Sequence, residues 1–272
     1  MRRIECIFGK RFGSGERRLR LLTKTSGGCY FQDGTDIFML CDAAFGEIDF
    51  AVSCPCVKEI VCDPSFRAEE ARYRDGRLEA GDVCFVARAA PEAPPRRPFD
   101  RAAAQHALRT QGRGMFADRL VRRRADDAMS RMVNVRLDEM LCLIGQGNYE
   151  KAAAYIPGLI GAGRGLTPGA DDFLVGMLYA VREAGQAEKF APLFRAVAAS
   201  LEATTQISAE FLRCAVRGGA FSPVTDVLRG VRADAAFRLV RAGHSSGSSM
   251  LAGILAADRW VGEKYADTTG EL

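Results

Sequence analysis

Two adjacent carboxylates, Asp171 and Asp172, close a glycine-rich run, and one of the chain's two histidines, His244, opens a second run of glycine and hydroxyl residues. The first run is Gly161-Ala-Gly-Arg-Gly-Leu-Thr-Pro-Gly-Ala-Asp-Asp-Phe-Leu-Val-Gly176. The second is Gly243-His-Ser-Ser-Gly-Ser-Ser-Met-Leu-Ala-Gly253. Glycines at 161, 163 and 165 permit positive φ and close approach of backbone to a ligand. Thr167 is the expected helix N-cap and Pro168 the expected first helical residue, where a missing N–H is no loss. A glycine loop feeding a helix N-terminus is a ready anion site, with free N–H groups and about half a positive charge from the macrodipole. Arg164 adds a full charge. Two carboxylates beside a bound anion would repel it. A divalent cation such as Mg2+, the Arg164 side chain, or a ligand with N–H donors (an amide or carbamoyl group) would each offset them. Alternatively, the carboxylates only complement the helix dipole. The spacing is neither Gly-x-Gly-x-x-Gly nor a phosphate-binding Gly-Lys-Ser/Thr loop.

These patterns select Asp171, Asp172 and His244 as catalytic candidates. Gly163, Arg164, Gly165, Thr167, Ser245, Ser246 and Gly247 are the substrate-binding candidates. No metal set is identifiable: Cys54-Pro55-Cys56 with Cys62 is the one cysteine cluster, and neither His106 nor His244 is near it in sequence. His244 and Ser245 are chain neighbours, which rarely reach hydrogen-bond geometry, so they do not read as a base and nucleophile. His244 is either a structural histidine or a proton donor or anion ligand. Thr204, Thr205 and Ser208 read as helix caps or as cleft-lining hydroxyls.

The elements that must carry these residues follow from periodicity. From Phe173 to Val181 nearly every residue is apolar, which marks a buried helix. Gly176 within it costs about 1 kcal/mol relative to Ala, so another backbone is expected against it. Aligning Gly176 with Gly253 makes the two runs look like distant copies of one unit, with two glycine-rich helix N-termini facing each other. Helices are also expected over Met129 to Ile144, Tyr149 to Ile156, Glu188 to Leu201, Thr205 to Arg217, Ser222 to Leu228 and Asp234 to Ala242. Residues 1–95 read differently. Short β-branched, aromatic and cysteine runs at 29–31, 36–41, 48–54, 58–62 and 83–87 are separated by turn signals such as Asp33-Gly34 and Asp75-Gly76. The expected fold is α+β: a small β-rich barrel or sandwich over 1–95, then a mainly helical domain over 96–272 that holds both glycine-rich runs. Between them, residues 88–101 carry Pro91, Pro94, Pro95 and Pro98 and read as a linker or extended crossover.

The chain has 272 residues and a formal net charge of +4, too small to argue for nucleic-acid binding. The arginines at 96, 97, 101, 109, 113, 119, 122, 123 and 124 form a basic stretch without interleaved aromatics, which reads as a solvated helix face with an interface role. No apolar run of about 18 residues predicts a membrane span, and the first residues lack the apolar core of a signal peptide. The nine cysteines then read as reduced thiols in a cytoplasmic protein.

The two glycine-rich runs carry a family resemblance. Gly161 to Gly176 is similar to the signature of a bacterial family that includes the AllH subunit of oxamate carbamoyltransferase. Gly243-His-Ser-Ser-Gly247 followed by Leu251-Ala-Gly253 resembles that family's second motif. Here Gly169-Ala170 stands where the family usually has a small residue and then Gly, and Ser248-Ser249 stands where an acidic residue is common. The resemblance implies carbamoyl transfer between carbamoyl phosphate and oxamate, in anaerobic allantoin and purine catabolism. It also implies a larger partner subunit related to acyl-CoA synthetases, together with another small subunit. The alternatives from the residues themselves are a non-catalytic assembly or ligand-binding subunit and a metal-dependent hydrolase using the Asp pair.

Overall fold

A computed structural model describes residues 2–25, 27–64, 66, 68–89, 95–120 and 127–261. They divide into two compact units, separated between 89 and 95, with Gly219–Ser222 belonging to the first.

The first unit is a closed eight-stranded barrel: β1 (Arg2–Phe8), β2 (Glu16–Thr25), β3 (Gly28–Asp33), β4 (Asp36–Asp42), β5 (Ala51–Cys54), β6 (Glu70–Arg74), β7 (Arg77–Ala80) and β8 (Val83–Ala87). The order around the barrel is β1-β5-β4-β3-β2-β6-β7-β8, closed by parallel pairing of β1 with β8. Pairing is parallel also between β4 and β5 and antiparallel elsewhere. β6 and β7 show why these segments are strands: Ala71, Tyr73, Leu78 and Ala80 are buried while their neighbours are exposed, the period of two that a half-buried strand requires. Phe12, Phe38 and Tyr73 fill the interior, with ring centroids 4.8 Å and 5.1 Å from Phe12. Cys6, Cys29 and Cys54 are buried there as small apolar groups, and Cys41 is buried with its Sγ 3.4 Å from Ser53 Oγ. Burial pushes the thiols of Cys29 and Cys41 up to about 12.

One expected strand is a helix. Residues 58–62 lie in α1 (Val57–Cys62). Val57, Ile60 and Val61 are its buried residues, a spacing of three and four that sets a helical stripe against the core. The β-branched composition of the segment concealed that period. The cysteine cluster does not gather either: Cys54 is buried, while Cys56 and Cys62 are exposed. Among the described residues no group of three or more His, Cys, Asp or Glu side chains is placed to hold a metal.

The second unit is helical: α2 (Arg101–Gln111), α3 (Met115–Leu120), α4 (Ala128–Gly145), α5 (Tyr149–Ala153), α6 (Gly169–Glu183), α7 (Ala191–Ala199), α8 (Gln206–Arg217), α9 (Ser222–Leu228), α10 (Ala235–Val240) and α11 (Ser246–Val261). At its centre α6 and α11 pack on each other, with every residue of α6 from Gly169 to Val181 buried. α8 flanks α6, and α2, α3 and α10 flank α11. Aspartates accept the first free N–H groups at two starts, Asp100 from Ala103 N and Asp127 from Ser130 N, each at 2.8 Å. The basic stretch falls on α2 and its surroundings, where Arg97, Arg109 and Arg113 are exposed. Arg101 there is half-exposed and pairs with buried Asp258 of α11 at 2.5 Å. Pro91, Pro94 and Arg122 to Arg124 lie outside the described residues. No described helix is long and apolar enough to cross a membrane.

Candidate functional site

The two mid-helix glycines set the geometry. A Cβ on Gly176 would lie 1.9 Å from the Met250 carbonyl oxygen, and one on Gly253 would lie 2.0 Å from the Phe173 carbonyl oxygen. Each glycine thus meets the backbone three residues ahead of the other glycine, the reciprocity that two copies of one unit about a local twofold would show. The helices cross with their N-termini at the same end. There the Thr167 and Ser246 hydroxyls are 2.8 Å apart. The two glycine-rich runs, 79 positions apart at these residues, meet at one point, and two helix dipoles present their positive ends together.

α6 begins one residue later than expected. Pro168, extended at φ −52° and ψ 139°, occupies the cap position, and no side chain caps the helix. Thr167 is therefore not the cap: its hydroxyl turns across to Ser246. The loop itself serves one end group, because Ala170 N donates to Ala162 O at 3.1 Å. Pro168 O takes the N–H groups of Asp171 and Asp172. The outward part of the loop is different. Among the described residues, the N–H groups of Gly163, Arg164 and Gly165 donate to no protein acceptor. Positive φ at these glycines (138° and 93°) turns that backbone outward, where Arg164 and Gly165 are exposed.

Asp171 and Asp172, adjacent in sequence, have unlike surroundings. Asp171 is 0% exposed. Its Oδ1 accepts from Gly161 N at 2.8 Å, and its Oδ2 accepts from Thr204 Oγ1 at 2.5 Å and Ser208 Oγ at 2.7 Å. It clasps the glycine loop to the start of α8. Burial raises its carboxyl above the ordinary range, against the pull of those three donors. Asp172 is 1% exposed, and its Oδ2 has no hydrogen-bond partner among the described residues. Burial pushes its carboxyl well above the ordinary range, and Asp171 adds to that push. The neighbouring Ser246 and Thr167 hydroxyls pull in the other direction. This donor set does not fit a divalent cation: both oxygens of Asp171 are taken by N–H and O–H donors, and among the described residues no third carboxylate, His or Cys joins Asp172.

On the second run, Ser245 and Ser246 are half-buried and His244 is exposed. Gly247 is buried and committed: its N–H donates to Ala242 O at 3.0 Å, and a Cβ there would lie 1.6 Å from Leu239 O. It serves the packing of α10 on α11. Arg164, on the first run, helps the Ser130 hydrogen bonds to hold the Asp127 carboxyl below the ordinary range, the Ser130 backbone N–H being the largest influence. Three further contributors sit beside the convergence. Thr205 caps α8, accepting from Ser208 N at 3.0 Å, and its hydroxyl donates to Leu166 O. Arg113 N donates to Ser248 Oγ at 3.0 Å, and a Cβ on Gly114 would lie 2.9 Å from Ser245 Cβ. The Gly112-Arg113-Gly114 link therefore lies against the α11 N-terminus. Its one sequence signal was a Gly-x-Gly between two helical stretches, easily read as an ordinary turn.

Residues 159–257 match the family model described as oxamate carbamoyltransferase subunit AllH. That stretch is similar to the family and contains both glycine-rich runs. No curated protein and no solved structure matches the chain.

Proposed function

We propose that this chain is a cytoplasmic subunit of a carbamoyltransferase that moves a carbamoyl group between carbamoyl phosphate and oxamate, with its site where the two glycine-rich runs meet. One observation carries the reading: the stretch that matches the family brings two helix N-termini together around a buried carboxyl, with the Thr167 and Ser246 hydroxyls 2.8 Å apart. Both substrates are anions. Two positive dipole ends, the outward N–H groups of Gly163 to Gly165 and the Arg164 guanidinium supply a preorganised field for them. Ser245 and His244 extend the same edge. Asp171 holds the loop in place and does not meet substrate. In the catabolic direction phosphate attacks the ureido carbon of oxalurate and releases oxamate, so donors fixed near that carbonyl stabilise the developing oxyanion. A larger partner subunit related to acyl-CoA synthetases and a second small subunit complete the assembly in this reading.

A separate observation favours a partner-binding role. Met129, Met132 and Val135 on α4 are 45%, 46% and 57% exposed, an apolar line of the kind that partner contacts cover. The test of both readings is phosphate-dependent cleavage of oxalurate by this chain alone, by its partner subunits alone and by the full set. Activity in the full set only, with KM for phosphate raised by Arg164→Ala, supports a site on this chain. Full activity from the partners without it makes the chain accessory.

A further inference from the structure

We infer that Arg113 is a second anion-binding residue of this site, holding the carboxylate of oxalurate or oxamate while the Arg164 loop holds phosphate. The inference rests on the carbamoyltransferase reading and deepens it. The sequence carries one tripeptide twice, Gly112-Arg113-Gly114 and Gly163-Arg164-Gly165. The fold lays one against each of the two converging helix starts. Arg113 N donates to Ser248 Oγ at 3.0 Å, and a Cβ on Gly114 would lie 2.9 Å from Ser245 Cβ, so the first tripeptide lies on the start of α11. A Cβ on Gly163 would lie 2.5 Å from Gly169 N, so the second lies on the start of α6. Gly169 ties the two together: a Cβ there would lie 3.4 Å from Met115 Cε, just after the first tripeptide, and 3.5 Å from Ser249 Oγ of α11. Both backbones are thus fixed, while the Arg113 and Arg164 side chains are exposed. Among the described residues neither guanidinium has a hydrogen-bond or ion-pair partner.

The backbone N–H groups decide which anion goes where. Those of Gly163, Arg164 and Gly165 point outward without protein acceptors, a set of donors suited to the several oxygens of phosphate. The N–H of Arg113 is committed to Ser248, so that tripeptide offers only its guanidinium fork, which matches the two oxygens of a carboxylate. Phosphate and oxalurate are both anions and must lie side by side to react. One guanidinium for each offsets their mutual repulsion. An independent observation points to a ligand at the same place. Asp172, buried in the first turn of α6, has an Oδ2 that no donor among the described residues satisfies, and an N–H of a carbamoyl ligand would satisfy it.

The experiment has two arms. In the full subunit set, Arg113→Ala is expected to raise KM for oxalurate about 10- to 100-fold, with KM for phosphate changed less than about threefold, because a charge-assisted pair is lost from one ligand only. Arg164→Ala is expected to show the opposite split. Oxaluramide, in which a neutral amide replaces the carboxylate, should be a poor substrate for wild type, whereas Arg113→Ala should treat it within about threefold of oxalurate. Both side chains are exposed, so both variants should keep the wild-type Tm. An unchanged KM for oxalurate in Arg113→Ala, or an equal rise in both KM values, overturns the assignment. If the full wild-type set does not cleave oxalurate, the functional reading fails, and anion binding by the isolated chain decides the inference. Calorimetric titration with oxamate and with inorganic phosphate sustains it if both bind at once and Arg113→Ala loses oxamate alone. Any other pattern, including competition between the two anions or binding of neither, overturns it.

Discussion

Gly176→Ala is the sharpest probe of the geometry that creates the site. The new methyl carbon would stand 1.9 Å from Met250 O and 2.7 Å from Met250 C, whereas ordinary contact begins at 3.4 Å. Both neighbours are main-chain atoms of a buried helix, so no rotamer change relieves the clash. α6 and α11 must separate by about 1.5 Å along that direction. Overpacking of a tight interior costs about 1–3 kcal/mol, and a backbone clash falls at the upper end. Replacing a helix-interior glycine returns about 1 kcal/mol of propensity. The net expectation is destabilisation by about 2 kcal/mol, a fall in Tm of about 4–8 °C for a unit of this size. The separation also pulls the Thr167 and Ser246 hydroxyls beyond the 2.8 Å at which they now bond. Gly253→Ala, against Phe173 O at 2.0 Å, should behave alike. The double variant should cost less than the two singles combined, because one separation relieves both clashes. Thermal and urea unfolding of the singles, the double and a control read this out. The control is Gly145→Ala at the end of α4, where the methyl would meet only Trp260 Nε1 at 3.5 Å and stability should hold or rise slightly. Wild-type Tm in Gly176→Ala would refute the reasoning, as would full additivity in the double variant.

Four further expectations follow from the same observations. Asp171→Ala strands Gly161 N–H and the Thr204 and Ser208 hydroxyls in the interior, at about 1–3 kcal/mol for each unsatisfied group; urea unfolding should show a loss of at least about 3 kcal/mol, and less than 1 would refute the clasp. Burial raises the folded-state Asp172 carboxyl well above its ordinary 3.8, so the native state keeps a proton that the unfolded chain releases. The contribution of that proton to stability is fully present below that ordinary value and is lost with rising pH until the folded-state value is passed, whereas Asp172→Asn lacks this loss; Tm series across pH should show the variant gaining on wild type as pH rises. Thr205→Ala removes the cap of α8 and should cost about 1 kcal/mol, measured by the same unfolding assay. In the native protein a thiol reagent should label Cys56, Cys62 and Cys142 quickly, leaving buried Cys29 and Cys41 protected until unfolding.

The α+β architecture was legible because short β-branched and aromatic runs such as 29–31, 36–41 and 83–87 precede the unbroken apolar residues after Phe173, although the strands Glu70–Arg74 and Arg77–Ala80, rich in charge, were not among the expected runs. Positions of the helices were legible too, since Gly145 to Gly147, Thr205 and the glycines at 218 and 243 punctuate the pattern. The arginine-rich strand β2 was not, because its exposed charges conceal the one fully buried Leu19. Nor was α1, whose residue types favour strand while its spacing favours helix. Within the site, sequence alone marked both glycine-rich runs and the Asp pair, because glycine and adjacent carboxylates are costly inside a buried helix unless the fold uses them. Sequence could not separate the two aspartates. That distinction came from donors on segments distant along the chain: Thr204 and Ser208 donate to Asp171, whereas Oδ2 of Asp172 has no donor among the described residues. Only tertiary packing decides which carboxyl oxygen is satisfied and which is left buried alone, because burial and hydrogen bonding depend on neighbours in space and not on neighbours along the chain.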